Sequence, residues 1–122
     1  MWLFTRYGFY SIACASKHDG ALDLKTLMIR SRLKAHLEKL QARFPRLSGA
    51  EIFTSPIRDY RYRILVDREV WEVVVAELVK EQTWSNFKNE VATFGGGDEY
   101  VRALHEVWHV MHRLQRRGGS DE

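Results

Sequence analysis

The sequence contains a single cysteine and only two prolines, and it has no long run of apolar residues. Because Cys14 has no second cysteine to pair with, a disulfide framework within the chain and a cysteine-based zinc cluster are both excluded. No stretch approaches the length that a membrane-spanning helix needs, and no charged segment precedes an apolar run at the N-terminus. We therefore expect a protein of a reducing, cytoplasmic compartment, without a membrane partner.

Motifs for nucleotide hydrolysis and for metal binding are lacking as well. The run Gly95-Gly96-Gly97 is not followed by the Lys-Ser/Thr pair of a P-loop, which excludes nucleotide hydrolysis of that type. His105, His109 and His112 share one helical face, but no HExxH pattern accompanies them and the neighbouring arginines would repel a cation. We therefore predict no metal and no cofactor, and we interpret the three histidines as a semi-exposed boundary face.

The residues that are present suit one small globular domain. A chain of 122 residues that is 45% hydrophobic and 29% charged is long and apolar enough to bury a core. Its net charge of +3 permits nucleic acid or another anionic ligand as a partner but does not require one. We predict a single domain over residues 1–115 and a polar, disordered C-terminal tail over residues 116–122.

The first part of the chain is predicted as strand, strand and helix. Aromatic and β-branched residues over residues 2–15 predict one extended strand, in which Gly8 marks a bulge or the close approach of another backbone. A turn-rich break follows, and residues 27–31 predict a second strand that forms a hairpin with the first. From Arg32 apolar residues recur at helical spacing until Pro45 ends the segment.

The second part of the chain repeats that order. Two short strands are predicted at residues 50–54 and 59–66, Asp67 can cap the helix that follows, and two further helices are predicted at residues 85–94 and after Asp98. These elements predict an α+β fold of two layers, with an antiparallel sheet of about four strands built from two strand-strand-helix units. The additional C-terminal helices are expected on one face of the sheet. A ferredoxin-like arrangement needs a different order of elements and is the second choice.

Four arginines form two pairs, each with the two-residue spacing of one strand face. Arg30 and Arg32 end the second predicted strand, and Arg61 and Arg63 lie on the strand at residues 59–66. If these strands are neighbours, four guanidinium groups converge on the sheet face that the helices leave uncovered, where their paired donors suit phosphate or carboxylate oxygens. The alternative is an ordinary solvated face whose arginines pair with Asp or Glu.

Tyrosines alternate with these arginines and so fall on the opposite side of the strand. Tyr60 and Tyr62 are therefore predicted to pack in the core, on the face that the helices cover. The alternative, if the strand lies at an edge, is stacking on bases, as aromatic residues do on sheet platforms that bind single strands.

Two further polar features lie in the C-terminal part of the chain. The free backbone amides at the start of the helix at residues 85–94, together with Asn86 and Lys88, could hold an anion. The alternative is that Ser85 and Asn86 simply cap this helix, as these residue types commonly do. His105 offers a different chemistry, since an imidazole that titrates near neutrality can act as a general base.

Several short motifs are spread along nearly the whole chain. They are Trp2-Leu3-Phe4-Thr5, Gly8-Phe9-Tyr10-Ser11, Arg30-Ser31-Arg32, Asp59-Tyr60-Arg61-Tyr62-Arg63, Asn86-Phe87-Lys88, and His105-Glu106-Val107-Trp108 with Met111. Their combination resembles a family of small, single-domain bacterial proteins of uncharacterised function. The resemblance implies a bacterial, cytoplasmic protein, and it brings no activity and no cofactor. It also brings no proven site, but the polar members of these motifs recur in the pattern, and we take them as the candidate ligand-binding residues: Arg30, Arg32, Tyr60, Arg61, Arg63, Asn86, Lys88 and His105.

Three functions are compatible with these features. The leading hypothesis is a binding module for a phosphate-bearing ligand, either a nucleic acid or a nucleotide, with the paired arginines and Lys88 as anion contacts. The second is a protein-interaction subunit or homodimer, because the N-terminal aromatic residues exceed what one buried strand face needs. The third is a small enzyme in which His105 acts as general base beside Tyr60 and Lys88. The sequence leaves open whether the protein is an enzyme.

Overall fold

The computed structural model of the chain describes residues 1–95 and 97–119. Within these residues the strands are β1 (Trp2–Thr5), β2 (Gly8–Ser16), β3 (Leu22–Ser31), β4 (Phe53–Thr54) and β5 (Tyr62–Asp67). The α-helices are α1 (Lys34–Arg43), α2 (Arg68–Lys80), α3 (Phe87–Phe94) and α4 (Asp98–Gly119), and a 3₁₀ turn at Pro45–Leu47 follows α1. The chain divides into two compact units, Met1–Thr83 and Trp84–Glu122.

The first unit contains one antiparallel sheet with the strand order β1-β2-β3-β5-β4. The α+β prediction is thus confirmed, but the described part of the chain supplies five strands where about four were predicted. The prediction of a single strand over residues 2–15 was wrong, because the chain reverses at Arg6 and Tyr7 and forms the β1–β2 hairpin. The register shift in β2 lies between Cys14 and Ala15, not at Gly8.

Side-chain hydrogen bonds of Thr5 explain why the chain turns at this point. The Thr5 hydroxyl accepts the backbone N–H groups of Tyr7 and Gly8, at 3.1 Å and 3.2 Å, and it donates to the Gly8 carbonyl at 3.0 Å. A single buried hydroxyl therefore satisfies the Tyr7 N–H of the turn and both backbone polar groups of Gly8, which follows it.

Replacing Thr5 by valine is expected to destabilise the first unit by about 1–3 kcal/mol. Valine has nearly the same shape, but it leaves two buried amide N–H groups without their acceptor, which costs their desolvation free energy. Urea denaturation followed by circular dichroism measures the change. The control is Thr54→Val on β4, where the side chain is exposed and the expected change lies within about 0.5 kcal/mol. Equal losses in the two variants would contradict this account of the turn.

Helices α1 and α2 pack against one face of the sheet. The alternation of β3 and β5 places Ile29 and Ile64 on that face, and both side chains are fully buried. The helices contribute Leu37, Leu40, Trp71 and Val74 to the same core. Removing this apolar surface from water is the main stabilising contribution to the first unit.

The second unit contains the helix pair α3 and α4, which contact each other. Val91 of α3 and Leu104 of α4 are buried. Helix α4 continues to Gly119, so residues 116–119 of the predicted polar tail are helical, and residues 120–122 lie outside the described residues. The single domain over residues 1–115 and the position of these helices on one sheet face stay predictions. No helix in the described part of the chain combines the length and the apolar character that crossing a membrane requires.

Candidate ligand-binding face

The sheet face opposite α1 and α2 carries two of the predicted arginines. Arg30 follows Ile29 in β3 and Arg63 precedes Ile64 in β5, so both point away from the face that the two helices cover. We call this side of the sheet the arginine face. The condition for the arginines to converge, that the two arginine-bearing strands are neighbours, is met, since β3 and β5 pair antiparallel.

Arg30 and Arg63 lie directly opposite each other in the β3–β5 register. Among the residues that the structure describes, neither guanidinium takes part in an ion pair with Asp or Glu. Partial burial lowers the pKa of Arg63, and repulsion from Arg58 and Arg30 lowers it further. Like charges directly opposite each other in a sheet are destabilising, so this pair maintains a positive potential at a cost to stability.

Hydrogen bonds hold the two guanidinium groups in place without neutralising them. Arg30 Nη2 donates to Ser11 Oγ at 2.8 Å, and its Nε donates to the Ser11 carbonyl at 3.4 Å. Arg63 Nη2 donates to the Tyr60 carbonyl at 3.3 Å, and its Nη1 contacts Met28 Sδ at 3.6 Å. Since a guanidinium has five N–H donors, each group keeps donors for an external oxyanion.

Tyr60 is buried, as predicted, but it lies among the arginines and not on the face opposite them. Its ring centroid is 4.9 Å from the guanidinium carbon of Arg30 and 4.4 Å from that of Arg32. The error arises because β5 begins at Tyr62, so the alternation of the strand does not extend back to Tyr60. Tyr62 does pack against the core, as predicted. Tyr60 is itself buried, so it positions the guanidinium groups through cation–π contacts and offers little ring surface to a ligand.

The other two predicted arginines differ from this pair. Arg32 contacts the Tyr60 ring but also pairs with Asp59, whose Oδ1 lies 3.1 Å from Arg32 Nη1 in an exposed ion pair. Arg32 therefore shows the ion pair of the solvated alternative, and its place in a ligand site stays a prediction. Arg61 is exposed in the segment before β5, and the structure does not bring it into the cluster around Tyr60. Three guanidinium groups therefore converge where four were expected, those of Arg30, Arg32 and Arg63.

Sequence reasoning missed the role of Ser11, whose hydroxyl orients Arg30. The signal was the small polar residue at the centre of an aromatic strand, but its partner depends on a register that only the folded sheet defines.

Aromatic rings adjoin the arginine cluster: Phe9 stacks on Phe4 with centroids 4.5 Å apart, and the Phe9 centroid lies 6.4 Å from that of Tyr60. Trp2, Phe4 and Phe9 therefore belong to the same face as the arginines, whereas Tyr10 is buried in the core on the other face.

The remaining predicted residues, Asn86, Lys88 and His105, belong to the second unit. Asn86 Oδ1 accepts the Asn89 amide at 3.1 Å, so this residue caps the helix, which was the alternative to anion binding. Lys88 Nζ lies 4.9 Å from the Trp108 ring centroid, so its charge already has an aromatic partner. His105 is exposed on α4, where its role as a general base stays a prediction.

The three C-terminal histidines do not form a cluster of metal ligands. The His112 ring is stacked on Trp108 at 4.8 Å, and the His109 ring meets Trp108 edge-on at 5.2 Å. Across residues 1–95 and 97–119, no three His, Cys, Asp or Glu side chains are grouped so that they could hold a metal ion. The aromatic contacts account for the placement of two of the three imidazoles.

Comparison of the chain with models of known protein families, with curated proteins and with solved structures gives no match. The family resemblance of the sequence motifs therefore stays an expectation. A fold by itself does not imply a function, so the function has to be inferred from the residues of the arginine face and their chemistry.

Proposed function

We propose that this protein is a binding module for a phosphate-bearing ligand, a nucleic acid or a nucleotide, which it holds on the arginine face. The observation that supports this function most strongly is the Arg30–Arg63 pair. Two partly buried guanidinium groups lie directly opposite each other, and no carboxylate among the described residues balances them. A bound phosphate would offset the repulsion between the two guanidinium groups, and its oxygens would accept hydrogen bonds from the N–H donors that point away from the sheet.

The surroundings of the pair favour an oxyanion over water as the partner. Arg30 is held by the Ser11 hydroxyl and by the Tyr60 ring, so little side-chain entropy is lost when a ligand binds. Arg32 lies at the same ring and can exchange its exposed contact with Asp59 for a contact with a phosphate. The net charge of +3 adds a weak long-range attraction for polyanions.

Replacing Arg30 or Arg63 by glutamine is expected to weaken the binding of a labelled oligonucleotide by about 10- to 150-fold, because each change removes a charge-assisted contact worth about 1.5–3 kcal/mol. Fluorescence polarisation at several salt concentrations measures this effect. In the wild type, the logarithm of the association constant should fall linearly with the logarithm of the salt concentration. Each substitution should reduce that slope by about one.

The matched control is Arg46→Gln. Arg46 lies in the 3₁₀ turn after α1 and contacts Glu77 of α2 at 3.9 Å, on the side of the sheet that the helices cover. This variant loses the same formal charge but no residue of the arginine face. If Arg46→Gln weakens binding as much as Arg30→Gln, net charge alone governs binding and the proposed site is wrong. If the wild type binds no polyanion at low salt, the proposed function itself is wrong.

A homodimer or another protein partner on the same face is the second candidate. It is favoured by exposed apolar side chains on this face, namely Trp2, Phe53 and Leu65. However, a two-fold dimer centred on this face would bring the Arg30–Arg63 pairs of both copies together, which increases the repulsion. Light scattering at high protein concentration separates the two candidates, since a monomer contradicts the homodimer.

A further inference from the structure

The strand register places five residues in one row across the arginine face. Trp2 of β1 is opposite Ser11 of β2, Ser11 is opposite Arg30 of β3, and Arg30 is opposite Arg63 of β5. Phe53 of β4 is opposite Arg63 and completes the row. The order across the sheet is therefore aromatic, serine, arginine, arginine, aromatic, and the positive charge lies at the centre of the row.

The aromatic residues at the two ends of the row are open to a ligand. Trp2 is 70% exposed and Phe53 is 45% exposed, whereas Tyr60 beside the central arginines is only 7% exposed. Phe9 meets the Trp2 ring edge-on at 5.7 Å, which supports that ring from one side. Four strand spacings of about 4.8 Å separate Trp2 from Phe53, so the row is about 19 Å long. A single phosphate or a mononucleotide would contact the centre of the row but would not reach both ends.

We propose that the ligand is a short single-stranded segment of nucleic acid that lies across the strands, along this row. Its phosphates contact Arg30 and Arg63, one base stacks on Trp2 and another stacks on Phe53. This inference depends on the proposed function and goes beyond it, because it specifies the form of the ligand and the residues that bind its bases. Base stacking on aromatic rings tolerates any sequence, since every base has a π-face.

A single strand fits this row better than a duplex does. In a duplex the base faces are stacked on each other inside the helix, so exposed rings on a sheet cannot reach them without unstacking. A duplex would use only the central arginines and would leave Trp2 and Phe53 in contact with water. The chemistry of the row therefore predicts that single strands bind more tightly than duplexes of the same length and salt condition.

The test uses the full chain and oligonucleotides of about eight nucleotides, a length within the range that sheet platforms cover. Trp2→Leu and Phe53→Leu are each expected to weaken the binding of the single strand about tenfold and to leave the slope against salt unchanged. The matched control is Leu65→Ala, an exposed apolar residue on the same face outside the row, which should leave affinity within about twofold. Circular dichroism confirms that each variant is folded.

An abasic oligonucleotide of the same length separates base stacking from phosphate contacts. It carries the same backbone charge, so we expect it to bind about as weakly as the wild-type strand binds to the Trp2→Leu, Phe53→Leu double variant. Equal binding of the abasic strand, the duplex and the normal strand to the wild type would overturn the single-strand inference.

The outcomes also distinguish this inference from the proposed function on which it depends. If the arginine variants weaken binding but the aromatic variants do not, the single-strand inference is wrong and the phosphate-binding function stands. If neither oligonucleotides nor inorganic pyrophosphate bind at low salt, both are wrong. If Trp2→Leu instead abolishes a concentration-dependent dimer and neither oligonucleotides nor pyrophosphate bind, the row is a protein interface, which also overturns both.

Discussion

Replacing Gly8 by alanine is expected to destabilise the first unit by about 3 kcal/mol, a large loss for the addition of one methyl group. A Cβ atom at Gly8 would lie 2.3 Å from Cγ and 2.6 Å from Cβ of His36. Both atoms are close to the backbone of α1 and cannot move aside as the end of a long side chain can. The β1–β2 hairpin and α1 would have to separate, and the core between them would lose contacts.

Thermal or urea denaturation of Gly8→Ala measures this loss, and Gly49→Ala is the matched control. A Cβ atom at Gly49 meets no heavy atom within 4 Å, so this variant should change stability by less than about 0.5 kcal/mol. The Gly8 variant should not be used to test ligand binding. Gly8 adjoins Phe9 in β2, and displacing the hairpin would also displace the aromatic end of the row. Equal stability of both variants would show that α1 yields to the extra methyl group at no cost.

The arginine face shows how far the sequence can predict a site and where prediction fails. Two-residue spacing is a local property, so Arg30 and Arg63 could be assigned to one strand face each, and β3 and β5 proved to be neighbours. Alternation also depends on where a strand begins. Tyrosine and arginine alternate from Tyr60 onward, which extends the predicted strand back over Tyr60, but β5 begins only at Tyr62. One misplaced boundary therefore moves Tyr60 from the arginine cluster into the predicted core.

The row from Trp2 to Phe53 could not be predicted, because it depends on four strand pairings at once. Each pairing depends on a register that the sequence does not reveal, and a shift of one residue in any of them would move an aromatic ring to the opposite face. The hairpin of β1 and β2 was missed for a related reason. The turn at Arg6 and Tyr7 lacks the Asn-Gly or Asp-Gly signal of a two-residue turn, and the hydroxyl of Thr5 supplies the hydrogen bonds instead.

His36 is the main reason to expect a loss of stability in mild acid. Its side chain is buried beside the β1–β2 hairpin, and its Nδ1 accepts the Phe9 backbone N–H at 3.3 Å. Burial lowers the pKa of His36 from 6.5 to about 4, and repulsion from Lys39 adds to the effect. A protonated imidazole has only donors, so it cannot accept the Phe9 N–H. The folded protein therefore keeps this imidazole neutral at a pH where the unfolded chain protonates it.

The sign of the pH dependence follows from this difference in proton binding. Above about pH 6.5 His36 is neutral in both the folded and the unfolded state, so it contributes no pH dependence to the free energy of unfolding. Between about pH 6.5 and pH 4 the unfolded chain binds a proton that the folded protein excludes, so the free energy of unfolding falls as the pH falls. With allowance for solvent screening, the total loss from this group is about 2–3 kcal/mol, and it is complete below about pH 4.

Comparison of the wild type with His36→Asn isolates this contribution. An asparagine carbonyl can accept the Phe9 N–H from nearly the same position, but it does not titrate. Between about pH 7 and pH 4, we expect the wild type to lose about 2–3 kcal/mol more stability than His36→Asn does, by urea denaturation at each pH. Carboxyl groups with lowered pKa values, such as that of Asp23, are common to both proteins and cancel in the difference. Parallel curves would show that His36 is protonated in the folded state without displacing the hairpin, and the proposed cause of acid sensitivity would be wrong.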